Sequence, residues 1–175
     1  MAKTISFSLS TRSVGKAIKA LEKYNQSLDA KTDELRERLA TRIAMYALAA
    51  FQSSVPATRL DGGEVPRPDV KVNVETNGNI ATVIAFGEDV YWIEFGAGIY
   101  YNAPVGSSPH PMGEKLGLTI GSYGKGRGSR VTWGYYDENG DLVLTHGTPA
   151  AMPLWRAAER VAAEYPQIAK EVFGT

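Results

Sequence analysis

The sequence contains no cysteine, which excludes disulfide bonds, thiolate nucleophiles and cysteine-ligated zinc. It has two histidines, His110 and His146, and because metal sites usually need three or four protein ligands, no metal site is expected. No stretch approaches the roughly 18 apolar residues that span a bilayer, and the N-terminus lacks the apolar segment of a signal peptide. These absences predict a chain in the cytosol, with no membrane contact and no cofactor.

A net charge is also absent. Lys plus Arg and Asp plus Glu both number 19, which argues against extensive nucleic-acid binding and favours another protein as the partner. The 175 residues, 43% of them hydrophobic, suffice for a sizeable core. We therefore expect a single domain over residues 1–175.

The first third of the chain has the apolar spacing of amphipathic helices. The pattern runs from Ser13 to Tyr24, pauses at residues 25–27 and resumes from Leu28 to Ala50. This predicts a short helix followed by one of about six turns. Because a proline disfavours helical backbone at the residue before it, the helical region 13–54 is expected to end at Val55-Pro56.

Residues 69–146 have the signals of β-hairpins. Alternating apolar residues from Val70 to Phe86 surround a turn at residues 77–79, and this pattern predicts one hairpin. Tyr91 to Phe95 is mostly apolar on both faces and predicts a third, covered strand. Two further strands, 130–135 and 142–145, flank Asn139-Gly140, and they either extend or cap the first sheet.

The remaining segments are loops and a last helix. Residues 58–68 and a glycine-rich stretch at 97–129 lack periodicity and predict long mobile loops. Apolar residues at helical spacing predict a C-terminal helix at 152–172, which Pro166 should kink or split. The fold class is α+β, with a long N-terminal helix and a C-terminal helix packed on an antiparallel sheet built of hairpins.

The glycine-rich loop contains a basic segment, but it is not a nucleotide-binding P-loop. Lys125 is followed by glycine instead of Ser or Thr, and the segment leads into a strand instead of a helix. A loop that contacts a protein neighbour, or passing DNA through Lys125, Arg127 and Arg130, is the functional alternative to a plain solvated loop.

Glu94 is the one charged residue inside the apolar segment Tyr91 to Phe95. A general acid with a raised pKa is conceivable there, but no second carboxylate occurs at a defined spacing. The sequence also lacks a Gly-x-Ser-x-Gly nucleophile motif. We favour a salt bridge at an edge or subunit contact, and no catalytic role is expected.

Aromatic residues are concentrated in two places. One group lies within residues 91–101 and the other within 133–136. A small sheet cannot hide all of them, so part of each group is expected in a protein interface, most simply between copies of the chain.

Two segments resemble the signatures of the tail-completion, or neck, proteins of long-tailed phages and prophages. The strand signature, typically Tyr-Ala-x-Tyr-Val-Glu-Phe-Gly-Thr, is matched by Tyr91, Ile93, Glu94, Phe95 and Gly96. The second, roughly Pro-x-Pro-Phe-Met-Arg-Pro-Ala, is matched loosely by Pro149, Met152, Pro153, Arg156 and Ala157. The resemblance covers about residues 30 to 172. It departs from the family at Ala97, where Thr is frequent, and in a longer link between the signatures.

The resemblance implies a non-enzymatic protein of the virion neck or tail, assembled in the host cytoplasm as a ring, often sixfold, around the DNA channel. Its implied partners are copies of itself and head-completion, tail-terminator or tail-tube proteins, with non-specific DNA contact in the channel and loops that order on assembly. The candidate interface residues are Tyr91, Trp92, Glu94, Phe95, Tyr100, Tyr101, Pro149, Met152 and Trp155. The alternatives are a tail terminator and, from another class, a small hydrolase or phosphate-binding enzyme using Glu94, His146 and the loop from Lys125 to Arg130.

Overall fold

The computed structural model describes residues 11–54, 67–96, 110–113, 115–116, 132–145 and 147–174. In chain order the elements are helix α1 (Thr11–Ser53), strands β1 (Lys71–Asn77) and β2 (Ile80–Phe86), helix α2 (Val90–Phe95), strands β3 (Trp133–Tyr136) and β4 (Leu142–Thr145), and helix α3 (Pro153–Phe173). The predicted α+β class is confirmed. Most of the predicted loops, 58–68 and 97–129, lies outside the described residues. None of the described helices has the length and apolarity needed to cross a membrane.

Helix α1 is continuous over 43 residues, or about 65 Å at 1.5 Å per residue. The predicted interruption at residues 25–27 is therefore wrong. Asn, Gln and Ser lower helix propensity far less than glycine or proline does, and Leu28 just beyond them accepts a hydrogen bond from the Thr32 hydroxyl at 2.9 Å. As a result, the apolar residues on the two sides of 25–27 belong to one stripe.

The C-terminal half of α1 packs antiparallel against α3. Leu35 shares a buried cluster with Ile168 and Val172, near the end of α3. Phe51 shares another with Ala157, near the start of α3. The second cluster also contains residues from the beginning of the hairpin and from α2, so this half of α1 organises the described core.

The first predicted hairpin is confirmed. β1 and β2 pair antiparallel from Lys71 opposite Phe86 to Asn77 opposite Ile80. Gly78 has a φ angle of +55°, the left-handed conformation that a two-residue hairpin turn requires at its first position.

The second predicted hairpin is also confirmed, with shorter strands. β3 and β4 pair antiparallel around a loop in which the Asp137 carboxylate accepts hydrogen bonds from the amides of Asn139 and Asp141 at 3.0 and 2.9 Å. The described strands form two separate two-stranded sheets. The second hairpin therefore does not extend the first sheet.

The third predicted strand is wrong, because Tyr91 to Phe95 is helical. In α2 the Ile93 amide donates to the Asp89 carbonyl at 3.0 Å, and the adjacent residues Ile93 and Glu94 are both buried. A strand would have placed these two on opposite faces. The apolar pattern of a short segment fits both a strand and a helix. In this chain, packing against α3 favours the helix.

The predicted C-terminal helix is confirmed as α3, one residue later at each end. The split at Pro166 is wrong, since α3 continues as one helix to Phe173. Proline removes a single amide donor, and buried residues on both sides of it, Val161 and Ile168, hold the helix against its neighbours.

Candidate functional site

The two segments singled out in the sequence meet where α2 packs against the start of α3, a contact we call the α2–α3 junction (residues 93–96, 110 and 148–155). At its centre is the buried carboxylate of Glu94. Oε2 accepts a hydrogen bond from the Leu154 amide at 2.8 Å, and Oε1 accepts one from the Trp155 amide at 2.9 Å. The helix dipole favours a negative charge at this end of a helix. Glu94 therefore fixes the start of α3 on α2.

The sequence at the start of α3 explains why a carboxylate from elsewhere is needed. The first amides of a helix have no acceptor within the helix. Pro153 has no amide proton, and Met152 caps the helix with backbone angles of φ 54° and ψ 47° but makes no side-chain cap hydrogen bond. The amides of Leu154 and Trp155 are left, and these are the two that Glu94 accepts.

Gly96 allows the end of α2 to approach the segment before α3. It has a φ angle of +82°, and a Cβ atom there would lie 3.0 Å from the Ala150 nitrogen and 3.1 Å from the Thr148 oxygen. Nearby, the Ala151 amide donates to the Ile93 carbonyl at 2.9 Å. A side chain at position 96 would push the two segments apart.

His110, which lies between α2 and α3 in the sequence, also contacts the Glu94 carboxylate. Its Nε2 lies 3.1 Å from Glu94 Oε1, and its Nδ1 accepts a hydrogen bond from the Met112 amide at 3.0 Å. Because Nδ1 accepts, a neutral ring has its proton on Nε2 and donates it to Glu94. The ring packs beside Phe95 and Trp155, at centroid distances of 4.4 and 5.5 Å.

The composition of this pair resembles a catalytic dyad, but its geometry does not favour catalysis. A general base must come within hydrogen-bonding distance of a substrate proton. Both ring nitrogens of His110 are engaged, both oxygens of Glu94 accept amide hydrogen bonds, and both side chains are buried. In this arrangement the pair connects α2 to the start of α3. Within the described ranges, no three His, Asp or Glu residues are grouped to hold a metal ion.

A second polar cluster joins α1 to α3 at the surface. Glu164 accepts hydrogen bonds from Arg160 and Arg42, both at 3.0 Å, and from the Tyr46 hydroxyl at 3.2 Å. The Arg160 guanidinium lies 3.8 Å from the centre of the Tyr46 ring, in cation–π geometry. The hydrogen bond from Arg160, followed by those from Arg42 and Tyr46, lowers the pKa of Glu164. The hydrogen bond to Glu164 raises the pKa of Arg42.

Large apolar side chains are exposed beside these structural contacts. Tyr91 on α2 is 63% exposed, and Tyr136 on β3 is 73% exposed beside its cross-strand partner Leu142, which is also exposed. Leu144 extends the same face of the second hairpin. Exposed apolar groups that cluster in this way are typical of protein contact sites.

The structure brings together five of the residues predicted as interface. Glu94, Phe95, Pro149, Met152 and Trp155 all lie in the α2–α3 junction, where the contacts of Glu94 are internal to the chain and Pro149 is exposed. The remaining described candidates, Tyr91 and Trp92, are exposed on α2. The other predicted residues lie outside the described ranges: Tyr100, Tyr101, Lys125, Arg127, Arg130 and His146.

Two features were missed from the sequence. His110 was considered as a metal ligand or as part of a Ser-His-Asp set, and its pairing with Glu94 joins residues that are 16 positions apart. The Glu164 cluster joins residues 118 and 122 positions apart. Only the i, i+4 offset between Arg160 and Glu164 gave a local signal.

Comparison of the chain with protein-family models, with curated proteins and with solved structures finds no match.

Proposed function

We propose that this chain is a structural protein of the phage neck or tail end, which completes the tail and joins it to the DNA-filled head, acting as a ring of its own copies. One observation carries the proposal: the two segments that contain the signature-like residues contact each other. Glu94 accepts hydrogen bonds from the first amides of α3, and Gly96 lies against the segment that leads into it. A chance likeness of two short motifs gives no reason for the two segments to meet.

The junction supports an assembly role because buried hydrogen bonds hold it together and an aromatic side chain is exposed at its edge. Glu94 and His110 hold α2 in place, and this leaves Tyr91 on the outer side of the same short helix. Rigid aromatic side chains at the edge of a well-packed site are favourable contact residues, since little side-chain entropy is lost when they are covered. In a ring, each subunit offers one surface to one neighbour and a different surface to the other. We assign the outer side of α2 and the start of α3 to one of these surfaces.

The proposed partners follow from that position. Copies of the chain form the ring, and head-completion, tail-terminator or tail-tube proteins stack on it within the virion. Contact with DNA in the channel is assigned to Lys125, Arg127 and Arg130 and is non-specific, because contacts of lysine and arginine with phosphates do not read base sequence.

The experiment that tests the proposal is electron microscopy of lysates from the parent phage with this gene deleted. Filled heads beside separate tails of normal length are expected. Separate tails of aberrant length would instead favour a tail terminator, the nearest alternative. Intact infectious particles would contradict the assembly role and favour the enzyme alternative.

A further inference from the structure

Helix α1 carries an apolar stripe that the rest of the described chain covers only in part. In the C-terminal half, Leu35 is buried against α3. In the N-terminal half, Val14, Ile18 and Leu21 are 38%, 50% and 49% exposed. Because α1 is one unbroken helix, residues at these spacings lie on the same side of it. The exposed stripe is therefore a continuation of an interior surface.

The exposed part has the seven-residue repeat of a coiled coil. Helices with apolar residues at two positions of each heptad, a and d, pair along that seam. The d positions are Val14, Leu21, Leu28 and Leu35. The a positions are Ile18, Asn25 and Thr32.

We propose that the stripe from Val14 to Leu28 packs against the same stripe of a second copy of this chain, as a parallel, two-stranded coiled coil. Asn25, the polar residue at the centre of the repeat, favours a second copy of the chain as the partner. It also favours a parallel orientation of the two helices. In a parallel pair the two Asn25 side chains lie opposite each other and hydrogen-bond, whereas an antiparallel pair would bury each against an apolar residue. A single asparagine at an a position favours two parallel strands in register.

The charges that flank the stripe favour the same direction. Glu22 and Asp29 occupy the e positions, and Ala17 and Tyr24 occupy the preceding g positions. A parallel pair brings each e position beside a g position of the partner, so that Asp29 lies within reach of the partner copy's tyrosine hydroxyl. An antiparallel pair brings e positions together and sets carboxylates against carboxylates, which is unfavourable.

Among the described residues, α3 leaves the apolar stripe of α1 uncovered toward its N-terminal end. α3 runs antiparallel to α1 and ends at Phe173, close to Leu35, because Val172 and Leu35 share one buried cluster. From Leu35 onward, α3 occupies the stripe, and the two copies separate. Two heptads are too short to associate as an isolated peptide, but here the helix extends from a folded body, so the cost of helix nucleation is already met.

The test uses single cysteines, which the cysteine-free chain permits. Leu21→Cys and Leu28→Cys are each oxidised at low protein concentration, and cross-linked dimers are quantified on non-reducing gels. Parallel pairing in register predicts that both variants form disulfides with themselves. Lys23→Cys, on the opposite face of the same helix, is the matched control and should stay at background.

Two outcomes of this experiment would overturn the proposal. Cross-linking at only one of the two positions indicates an antiparallel or shifted pair. Cross-linking equal to that of the Lys23→Cys control indicates that the stripe has no second copy on it.

Sedimentation equilibrium on the unmodified chain supplies an independent readout. We expect a concentration-dependent dimer that Leu21→Glu weakens about a hundredfold or more, whereas Asn25→Leu strengthens association or raises the number of strands. An amphipathic helix with lysines opposite its apolar face also suits an anionic lipid surface. A chain that stays monomeric at every concentration, yet binds phosphatidylserine vesicles through Leu21, would contradict the proposal.

Discussion

The α2–α3 junction and the N-terminal half of α1 use their side chains in opposite ways. In the junction, the two residues capable of acid–base chemistry, Glu94 and His110, are buried and hydrogen-bonded inside the chain. In the N-terminal half of α1, ordinary apolar residues such as Ile18 and Leu21 are exposed. Residues whose side chains are capable of acid–base chemistry contact groups of their own chain, whereas residues with the spacing of a core are exposed.

This difference bears on how function is inferred for a chain of this type. A buried carboxylate beside a histidine draws attention as an active site, yet here each of its acceptor atoms satisfies a helix terminus or the imidazole. Exposed apolar surface on a regular helix requires a different explanation, because water contact with it is unfavourable. For this chain, that surface argues for assembly.

The largest expected effect comes from removing the carboxylate of the junction. Glu94→Ala leaves the amides of Leu154 and Trp155 without acceptors, and we expect a loss of about 3 to 5 kcal/mol in the free energy of unfolding. Urea denaturation measures it. The control is Glu159→Ala, which removes an exposed acid from the same helix and should change stability by less than about 0.5 kcal/mol. Equal losses in the two variants would refute the capping role.

The two halves of the α1 stripe can be compared directly. Leu35→Ala should cost about 2 to 4 kcal/mol, because it opens a cavity against α3. Leu21→Ala removes the same atoms from an exposed position, so the monomer should lose less than about 0.5 kcal/mol beyond helix propensity. Thermal unfolding at low protein concentration distinguishes them. A similar loss in both would show that the N-terminal half is covered within the chain.

Gly96 can be tested against a glycine with the same φ angle. Gly96→Ala combines a positive φ angle with a Cβ 3.0 Å from the Ala150 nitrogen, whereas Gly140→Ala has the same φ of +82° and nothing within 4 Å. We expect a loss of about 2 kcal/mol or more for the first and about 1 kcal/mol for the second. The difference in urea midpoints reports the close approach of the two segments together with the extended ψ angle of 155° at Gly96. No difference would mean that the approach is loose.

The smallest effect concerns pH at the surface cluster between α1 and α3. The pKa of Glu164 lies below its ordinary value of 4.5 because Arg160, Arg42 and Tyr46 donate to it. A lowered pKa means that this contribution to stability is present above the ordinary value and is lost as the pH falls through the folded-state value. Glu164→Gln should therefore flatten the acid limb of stability against pH and leave its shape near neutrality unchanged. An acid limb as steep as that of the parent chain would contradict this assignment.

The sequence allowed both hairpins and α3 to be predicted, because their signals are local. The turn at Gly78 and the loop before Gly140 define the hairpins within a few residues, and α3 has a full helical repeat. Two local predictions failed for physical reasons. The segment from Tyr91 to Phe95 is too short for its apolar pattern to separate helix from strand, and polar residues at 25–27 do not break a helix that lacks glycine and proline there.

The candidate site could be located in the sequence but its geometry could not. Glu94 and the start of α3 were singled out, yet the partners of Glu94 lie 16, 60 and 61 residues away. No periodicity or spacing encodes such distances. The unsatisfied amides after Pro153 were the one signal that an acceptor must come from elsewhere in the chain.

The most direct test of the proposed joining role is the infectious titre of a deletion lysate after the purified chain is added. We expect the lysate to hold filled heads and finished tails, the added chain to join them and raise the titre, and an equally stable Tyr91→Glu variant to raise it far less. A lysate that is infectious without the chain, or heads and tails that stay apart in its presence, would contradict the claim.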